Sequence, residues 1–240
     1  ACGTSFHAGL VGRYMIEDGA WEPDEIELLR WITSACFPGE PGIEILDIGA
    51  NVGGHTIAFA RFAHPGLTVH AFEAQRAIFA LLEQTVAANG LDNVRCHQRA
   101  VAAVSGEVLE IPAVDYDQPA NFGALELVRA VNPDFDGARI TGASESITTL
   151  RIDDLGLNKV RLMKIDVEGM EDRVLEGAAQ TIARCRPVIF LEYHKTDFER
   201  VRMKLRDANY VAYYAGRPNI MCLPAENRDV RIEGAERVEL

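Results

Sequence analysis

The sequence has no run of eighteen or more apolar residues, the length a helix needs to cross a bilayer. A membrane-spanning role is therefore excluded. Residues 1–7 show neither the basic nor the apolar region of a secretion leader, and there is no initiating Met. These features predict a trimmed or excised chain that works in the cytoplasm. Cysteine is scarce: Cys2, Cys36, Cys96, Cys185 and Cys222 are odd in number, scattered, and contain no Cys-x-x-Cys pair. Neither a disulfide framework nor a structural zinc site is expected, and free thiols in a reducing compartment fit better. Basic residues are outnumbered, 24 Lys and Arg against 36 Asp and Glu, giving a net charge of -12. That balance argues against a nucleic-acid partner, because affinity for phosphate backbones rests on clustered cations. An acidic surface otherwise means little more than solubility. Internal repeats and low-complexity tracts are missing as well.

What is present is room for one α/β domain with a large core in 240 residues, and hardly room for two. Apolar residues at Ile26, Leu29 and Ile32 keep the spacing of one helical face after Pro23, within a helical lead-in over 1–40. Short apolar runs at 43–48, 67–72 and 94–101 read as strands, with helices over 56–63 and 76–89 between them. Strand and helix alternating in this way predict a mostly parallel sheet covered on both faces. The rhythm breaks over 105–152, where Pro112, Pro119, Pro133 and several glycines separate β-like pieces at 108–111 and 147–150. This stretch reads as an insertion, of the length that often covers a site. Strand 160–165, helix 171–185, strand 188–192 and helix 197–208 follow. Two terminal runs, 210–214 and 220–223, lie close enough for an antiparallel hairpin.

The strongest local signal is Asp47-Ile48-Gly49-Ala50-Asn51-Val52-Gly53-Gly54, a glycine loop between a strand and a helix. Bare backbone and free N–H groups there let a ligand approach. A dinucleotide fingerprint requires glycine at the middle position, beside the pyrophosphate, and this sequence has Asn51. Asp47 would repel phosphates but could bind the amino group of a methionine moiety. Glu73, at the end of the second strand, can accept both ribose hydroxyl protons. Because NAD sites share that device, Glu73 alone does not decide the cofactor.

These residues, with Phe72-Glu73, Lys164-Ile165-Asp166-Val167-Glu168-Gly169, Glu171, Leu175-Glu176-Gly177-Ala178 and Leu191-Glu192-Tyr193-His194, resemble the FkbM family of S-adenosylmethionine-dependent methyltransferases. The segment 149–155, with Asp153 and Asp154, resembles the stretch before the family's fourth strand. One departure is Ala74, where many relatives carry proline. The resemblance implies the class I methyltransferase Rossmann-like fold as a single domain over 1–240, with a seven-stranded, mostly parallel sheet, a terminal antiparallel hairpin and the β/loop insertion before the fourth strand. It also implies methyl transfer from S-adenosyl-L-methionine, usually to oxygen, with a hydroxyl of a small metabolite, sugar or natural product as acceptor.

In such a sheet the strands carrying Asp166 and His194 neighbour the first strand, and their carboxyl ends open on one crevice. Cofactor binding is expected from Asp47, Gly49, Asn51, Gly53, Glu73 and Asp166. Methyl transfer is an in-line displacement in which alignment does much of the work, and a positioned base takes the acceptor's proton. His194 is the expected base and Asp166 its close competitor, with Glu168 either at the acceptor or holding the turn before helix 171–185 by accepting backbone N–H bonds. Trp21, Asn121 and Glu192 are the expected acceptor contacts. No metal is expected, because the Asp with a distant Asp-Asn pair of metal-assisted O-methyltransferases is missing. The Asn-Pro-Pro-Tyr type signature of enzymes that methylate nucleic-acid amino groups is missing too. The alternatives are N- or carboxyl-methylation on the same fold, an NAD-dependent oxidoreductase, and a non-catalytic binding module.

Overall fold

A computed structural model describes residues 21–116, 140–227 and 235–240; Asn121 lies outside them. The chain begins with helix α1 (Pro23–Cys36) and alternates through strand β1 (Glu44–Ile48), α2 (Gly54–Phe59), β2 (Thr68–Glu73), α3 (Arg76–Ala88) and β3 (Val94–Gln98). Three further strands follow: β4 (Ala100–Val101), β5 (Val108–Val114) and β6 (Ile140–Leu150). A 3₁₀ turn (Ile152–Leu155) then leads into β7 (Val160–Ile165), α4 (Glu171–Gly177), α5 (Ala179–Cys185), β8 (Val188–Glu192) and α6 (Phe198–Asp207). Strands β9 (Tyr210–Tyr214), β10 (Asn219–Pro224) and β11 (Arg237–Val238) complete the order.

The main sheet runs β11-β9-β10-β8-β7-β1-β2-β3. Strands β3, β2, β1, β7 and β8 are parallel, whereas β10 pairs antiparallel with β8 and β9. This is the expected sheet with the expected hairpin, plus the two-residue strand β11 on its edge. The central strands read as continuous apolar runs because both faces are covered. Ile45, Val69, Ala71 and Leu162 pack with Leu29 and Ile32 of α1, Phe59 of α2 and Leu82 of α3. Leu46, Ile48, Met163 and Ile165 face the other way, onto Val174, Leu175, Ile182, Val201 and Leu205 of α4 to α6. The alternation of strand side chains thus assigns each helix its side.

Two predicted elements are divided. The third strand breaks at Arg99, and β4 leaves the main sheet to pair in parallel with β6, which pairs antiparallel with β5. The predicted helix over 171–185 breaks at Ala178, whose φ of -110° and ψ of 7° fall outside helical geometry. At the break a Cβ on Gly177 would stand 2.1 Å from the Ala102 carbonyl oxygen, so only glycine allows α4 to sit against the loop after β4. Asp153 starts α5 by accepting the N–H groups of Thr181 at 2.8 Å and Gln180 at 3.1 Å, as an N-capping carboxylate does. Helix α2 is also shorter than predicted. The insertion reaches the start of α3: Glu145 accepts the N–H of Arg76 at 2.9 Å, and the Tyr116 hydroxyl donates to Gln75 at 3.0 Å.

Candidate active site

Strand order turns back between β1 and β7, and at such a switch point the carboxyl ends of the strands open a crevice. Asp47 and Lys164 are register partners across β1 and β7, and both are buried. Asp47 Oδ2 accepts the Thr56 hydroxyl at 2.5 Å, while its Oδ1 is buried with no hydrogen-bond partner. Lys164 Nζ lies 3.1 Å from Asp166 Oδ2. Burial alone would lower the Lys164 pKa, but Asp166, Asp47 and Glu25 together hold it above the ordinary lysine value. Lys164 is therefore a fixed cation among carboxylates, its apolar neighbours leaving it no partner but them.

The glycine loop is pinned to the end of β2. Gly49 and Ala50 donate to the Phe72 carbonyl at 3.0 and 2.8 Å. Asn51, at a φ of 50°, donates its N–H to Glu73 Oε2 at 3.0 Å, while Gln75 N–H reaches Glu73 Oε1 at 2.8 Å. Burial pushes the Glu73 pKa up to about 7 against the pull of these backbone donors. Each oxygen has a second lone pair for a further donor. Asn51 Oδ1 is buried and unpartnered. The space saved by the glycines is used by the protein itself. A Cβ on Gly49 would stand 1.7 Å from the Asp166 carbonyl oxygen, one on Gly53 2.9 Å from Leu82 Cδ1, and one on Gly54 3.1 Å from Trp21 Cβ. Trp21 is half-buried against the start of α2.

Asp166, Glu168 and Glu192 gather at the ends of β7 and β8. Burial, then Asp166 and Glu168, raise the Glu192 pKa to about 8. Burial and Asp166 raise Glu168 to about 7, while an ion pair with Lys195 at 2.7 Å pulls it down. Glu168 does not hold the turn before α4. Glu171 does, accepting the N–H groups of Val167 at 3.1 Å and Gly169 at 3.2 Å, because a carboxylate inside the first helical turn reaches back over the donors that Glu168, itself at a φ of 55°, turns away from. A Cβ on Gly169 would lie 3.2 Å from the Lys195 carbonyl, so the loops after β7 and β8 are locked together as those after β1 and β7 are. His194 is exposed beyond β8 and makes no hydrogen bond or ion pair with a described residue. Among the described site residues predicted from sequence, His194 and the Glu192 carboxylate are both left without a hydrogen bond or ion pair to orient them.

Sequence reasoning passed over Lys164, Glu171 and Lys195 as working parts, although a lysine in an otherwise apolar strand is a legible signal. It also passed over a second polar group. His55 of α2 is buried, with Nε2 3.1 Å from Glu25 Oε1 and 3.8 Å from Glu22 Oε2, at the start of α1. Burial and Lys164 push the His55 pKa down to about 4, against Asp47, Glu22 and Asp166. Burial raises Glu25 to about 7 and, helped by Glu25, raises Glu22 as well.

Comparison with known proteins bears on the family and the fold. Residues 47–212 match the methyltransferase FkbM domain, the segment from the glycine loop to the terminal hairpin. The 31-O-demethyl-FK506 methyltransferase FkbM of Streptomyces tacrolimicus is 32% identical over 178 residues, 65% of this chain and 67% of that protein. A crystal structure of methyltransferase FkbM from Methylobacillus flagellatus KT superposes with a TM-score of 0.53 at 15% identity, over 76% of this chain. The chain spans only 43% of that solved structure, so the likeness speaks for the fold alone. With the domain matched over most of its length, the chain belongs to the FkbM family of S-adenosylmethionine-dependent methyltransferases.

Proposed function

We propose that the protein transfers the methyl group of S-adenosylmethionine to a hydroxyl of a small metabolite, sugar or natural product. The observation that carries this reading is the carboxylate crevice of Asp166, Glu168 and Glu192 beside the glycine loop. An anionic acceptor would be repelled by Asp166 and would oppose the ionisation of Glu168 and Glu192, which disfavours carboxyl methylation, whereas a neutral alcohol meets hydrogen-bonding groups. The printed name of the Streptomyces tacrolimicus relative, a methyltransferase of 31-O-demethyl-FK506, supports oxygen as the acceptor atom.

When bound, the cofactor supplies an electrophilic methyl group on a cationic sulfur. The residues present suit it. Asp47 Oδ1 and Asn51 Oδ1 are buried acceptors without partners, and an ammonium group beside Asp47 satisfies the first. Glu73 accepts from the ribose hydroxyls while keeping the loop tied to β2. Asp166, held by Lys164, orients the acceptor hydroxyl, and Trp21 covers the loop at Gly54. Glu192 takes the acceptor's proton: its pKa near 8 lets it collect and release a proton close to neutral pH, which is where a general base works best. His194 is the competing base, and like Glu192 it would gain its orientation from the bound acceptor.

The test is calorimetry with S-adenosylmethionine and S-adenosylhomocysteine on the wild type and Glu73→Ala, then an acceptor screen with isotopically labelled methyl donor on Glu192→Gln and His194→Ala. Micromolar binding that collapses in Glu73→Ala supports the site. Folded protein that binds neither ligand overturns the reading.

A further inference from the structure

We propose that Glu22, Glu25 and His55 form a binding site for a first-row divalent transition-metal ion, with zinc or manganese as the chemical type, clamping α1 onto α2. The three donor atoms lie within 4.8 Å of one another. Two ligands each about 2.1 Å from an ion are about 3.4 Å apart at a tetrahedral angle and about 3.0 Å apart at a right angle. The separation of 3.1 Å from His55 to Glu25 falls between those values, and that of 3.8 Å from His55 to Glu22 needs the exposed Glu22 side chain to close by a few tenths of an ångström.

A knot of carboxylates alone would carry no such inference; His55 does. Its ring is 4% exposed, and Nε2 is buried with no hydrogen-bond partner although it faces both carboxylates. Burying an unsatisfied ring nitrogen is costly, and an ion between it and the carboxylates removes the cost. The low pKa keeps the imidazole neutral, the form that ligates. Glu22 stands at the N-cap of α1 with a φ of 47° and no capping hydrogen bond from its side chain, so its carboxylate is not committed to the helix. The charged groups that bear on the cluster are Asp47, Asp166 and Lys164. Lys164 is already held by Asp166, so the net charge met by a cation is negative. An imidazole with two carboxylates suits zinc, manganese or iron rather than magnesium or calcium, which prefer oxygen alone. Such an ion would fix Trp21, the neighbour of Glu22, over Gly54.

This site is independent of the methyl acceptor and is read without activity. Full-length chain freed of metal is titrated with Zn²⁺ and with Mn²⁺ by calorimetry, and with Co²⁺ followed by its visible spectrum. One equivalent is expected to bind, with a Co²⁺ spectrum of low coordination number. Loss of a direct ligand in His55→Ala or Glu25→Gln should weaken binding at least about a hundredfold, more than loss of an outer-shell partner does. Glu22 is partly exposed, so Glu22→Gln should fold and still lose affinity. Folded wild type that takes up none of the three ions overturns the proposal, leaving a proton shared between Glu25 and His55. Uptake that is unchanged in Glu22→Gln and His55→Ala overturns it too, because the ion would then sit elsewhere. A parallel titration with S-adenosylmethionine separates failure here from failure of the cofactor site.

Discussion

Lys164 is 5% exposed, pairs with Asp166 at 3.1 Å, and lies opposite buried Asp47 in the neighbouring strand. Lys164→Met keeps the volume of the side chain and removes the cation that faces these acids. Breaking a buried pair from one side costs about 3–5 kcal/mol, because a buried charge is left uncompensated. Asp166 is 32% exposed on its side chain, and solvent there softens its part. Asp47 has no such relief, so about 2–4 kcal/mol is expected. For a chain of this size that lowers Tm by roughly 4–16 °C. Asp166→Asn removes one acid and leaves Lys164 with Asp47 and Glu25, which costs less. In the double variant the broken pair is gone from both sides, so the two losses should overlap, with a coupling of about 1–2 kcal/mol. Urea denaturation of wild type, both single variants and the double variant closes the cycle. Losses that add within about 0.5 kcal/mol would refute the view that Lys164 is held in the sheet by its charge partners.

Gly49→Ala places a Cβ 1.7 Å from the Asp166 carbonyl at a φ of 84°, so overlap and left-handed strain together should cost about 2–5 kcal/mol; a Tm within about 2 °C of wild type would show that the loops separate freely. Glu73→Ala removes charged acceptors of ribose hydroxyls worth about 1.5–3 kcal/mol, so calorimetry should find S-adenosylmethionine bound roughly ten- to hundredfold more weakly, and unchanged affinity would remove Glu73 from the site. Glu168 and Glu192 have folded pKa values raised to about 7 and about 8 from 4.5. The folded state therefore binds more protons than the unfolded one between pH 4.5 and 8, and their effect is to lower stability as pH rises across that window. Denaturation midpoints of Glu192→Gln measured from pH 5 to 9 should fall less than those of wild type. If Glu192 is the base, methyl transfer rises with pH through about 8, and Glu192→Gln loses about 10²–10⁴ in rate together with that limb; a limb that survives there and disappears in His194→Ala would move the role to His194.

Much of the fold was legible because the central strands and their helices are decided by burial, and burial leaves a periodic trace. The helix face of Ile26, Leu29 and Ile32 and the runs at β1, β2, β7 and β8 are read directly from apolar spacing. The divisions were not legible. The break at Ala178 comes from Gly177 meeting the Ala102 backbone, a contact between segments more than seventy residues apart. The departure of β4 depends on its partner β6, which no local pattern announces. Strand β11 has two residues and is paired only through β9.

The site divides along the same line. Asp47, Glu73, Asp166 and Glu192 stand at strand ends, and a strand end followed by glycine or a turn is visible in one dimension. Their partners are visible only in register: Asp47 meets Lys164 across β1 and β7, and His55 meets Glu25 across two helices. The glycines show how a motif read for ligand approach also serves packing. Their bareness suggested ligand approach, yet at Gly49, Gly53 and Gly54 the missing Cβ is matched by protein atoms within 3.1 Å. The Gly49 contact fixes the relative position of the loops after β1 and β7, and with it the span from Glu73 to Asp166 across the crevice, while Gly53 and Gly54 seat the loop against α3 and Trp21. A bound cofactor must satisfy both ends at once, so Gly49 contributes to affinity through the rigidity of that span. A substitution at Gly49 should for that reason weaken S-adenosylmethionine binding even in the fraction of molecules that remain folded, a loss a purely structural glycine would not produce.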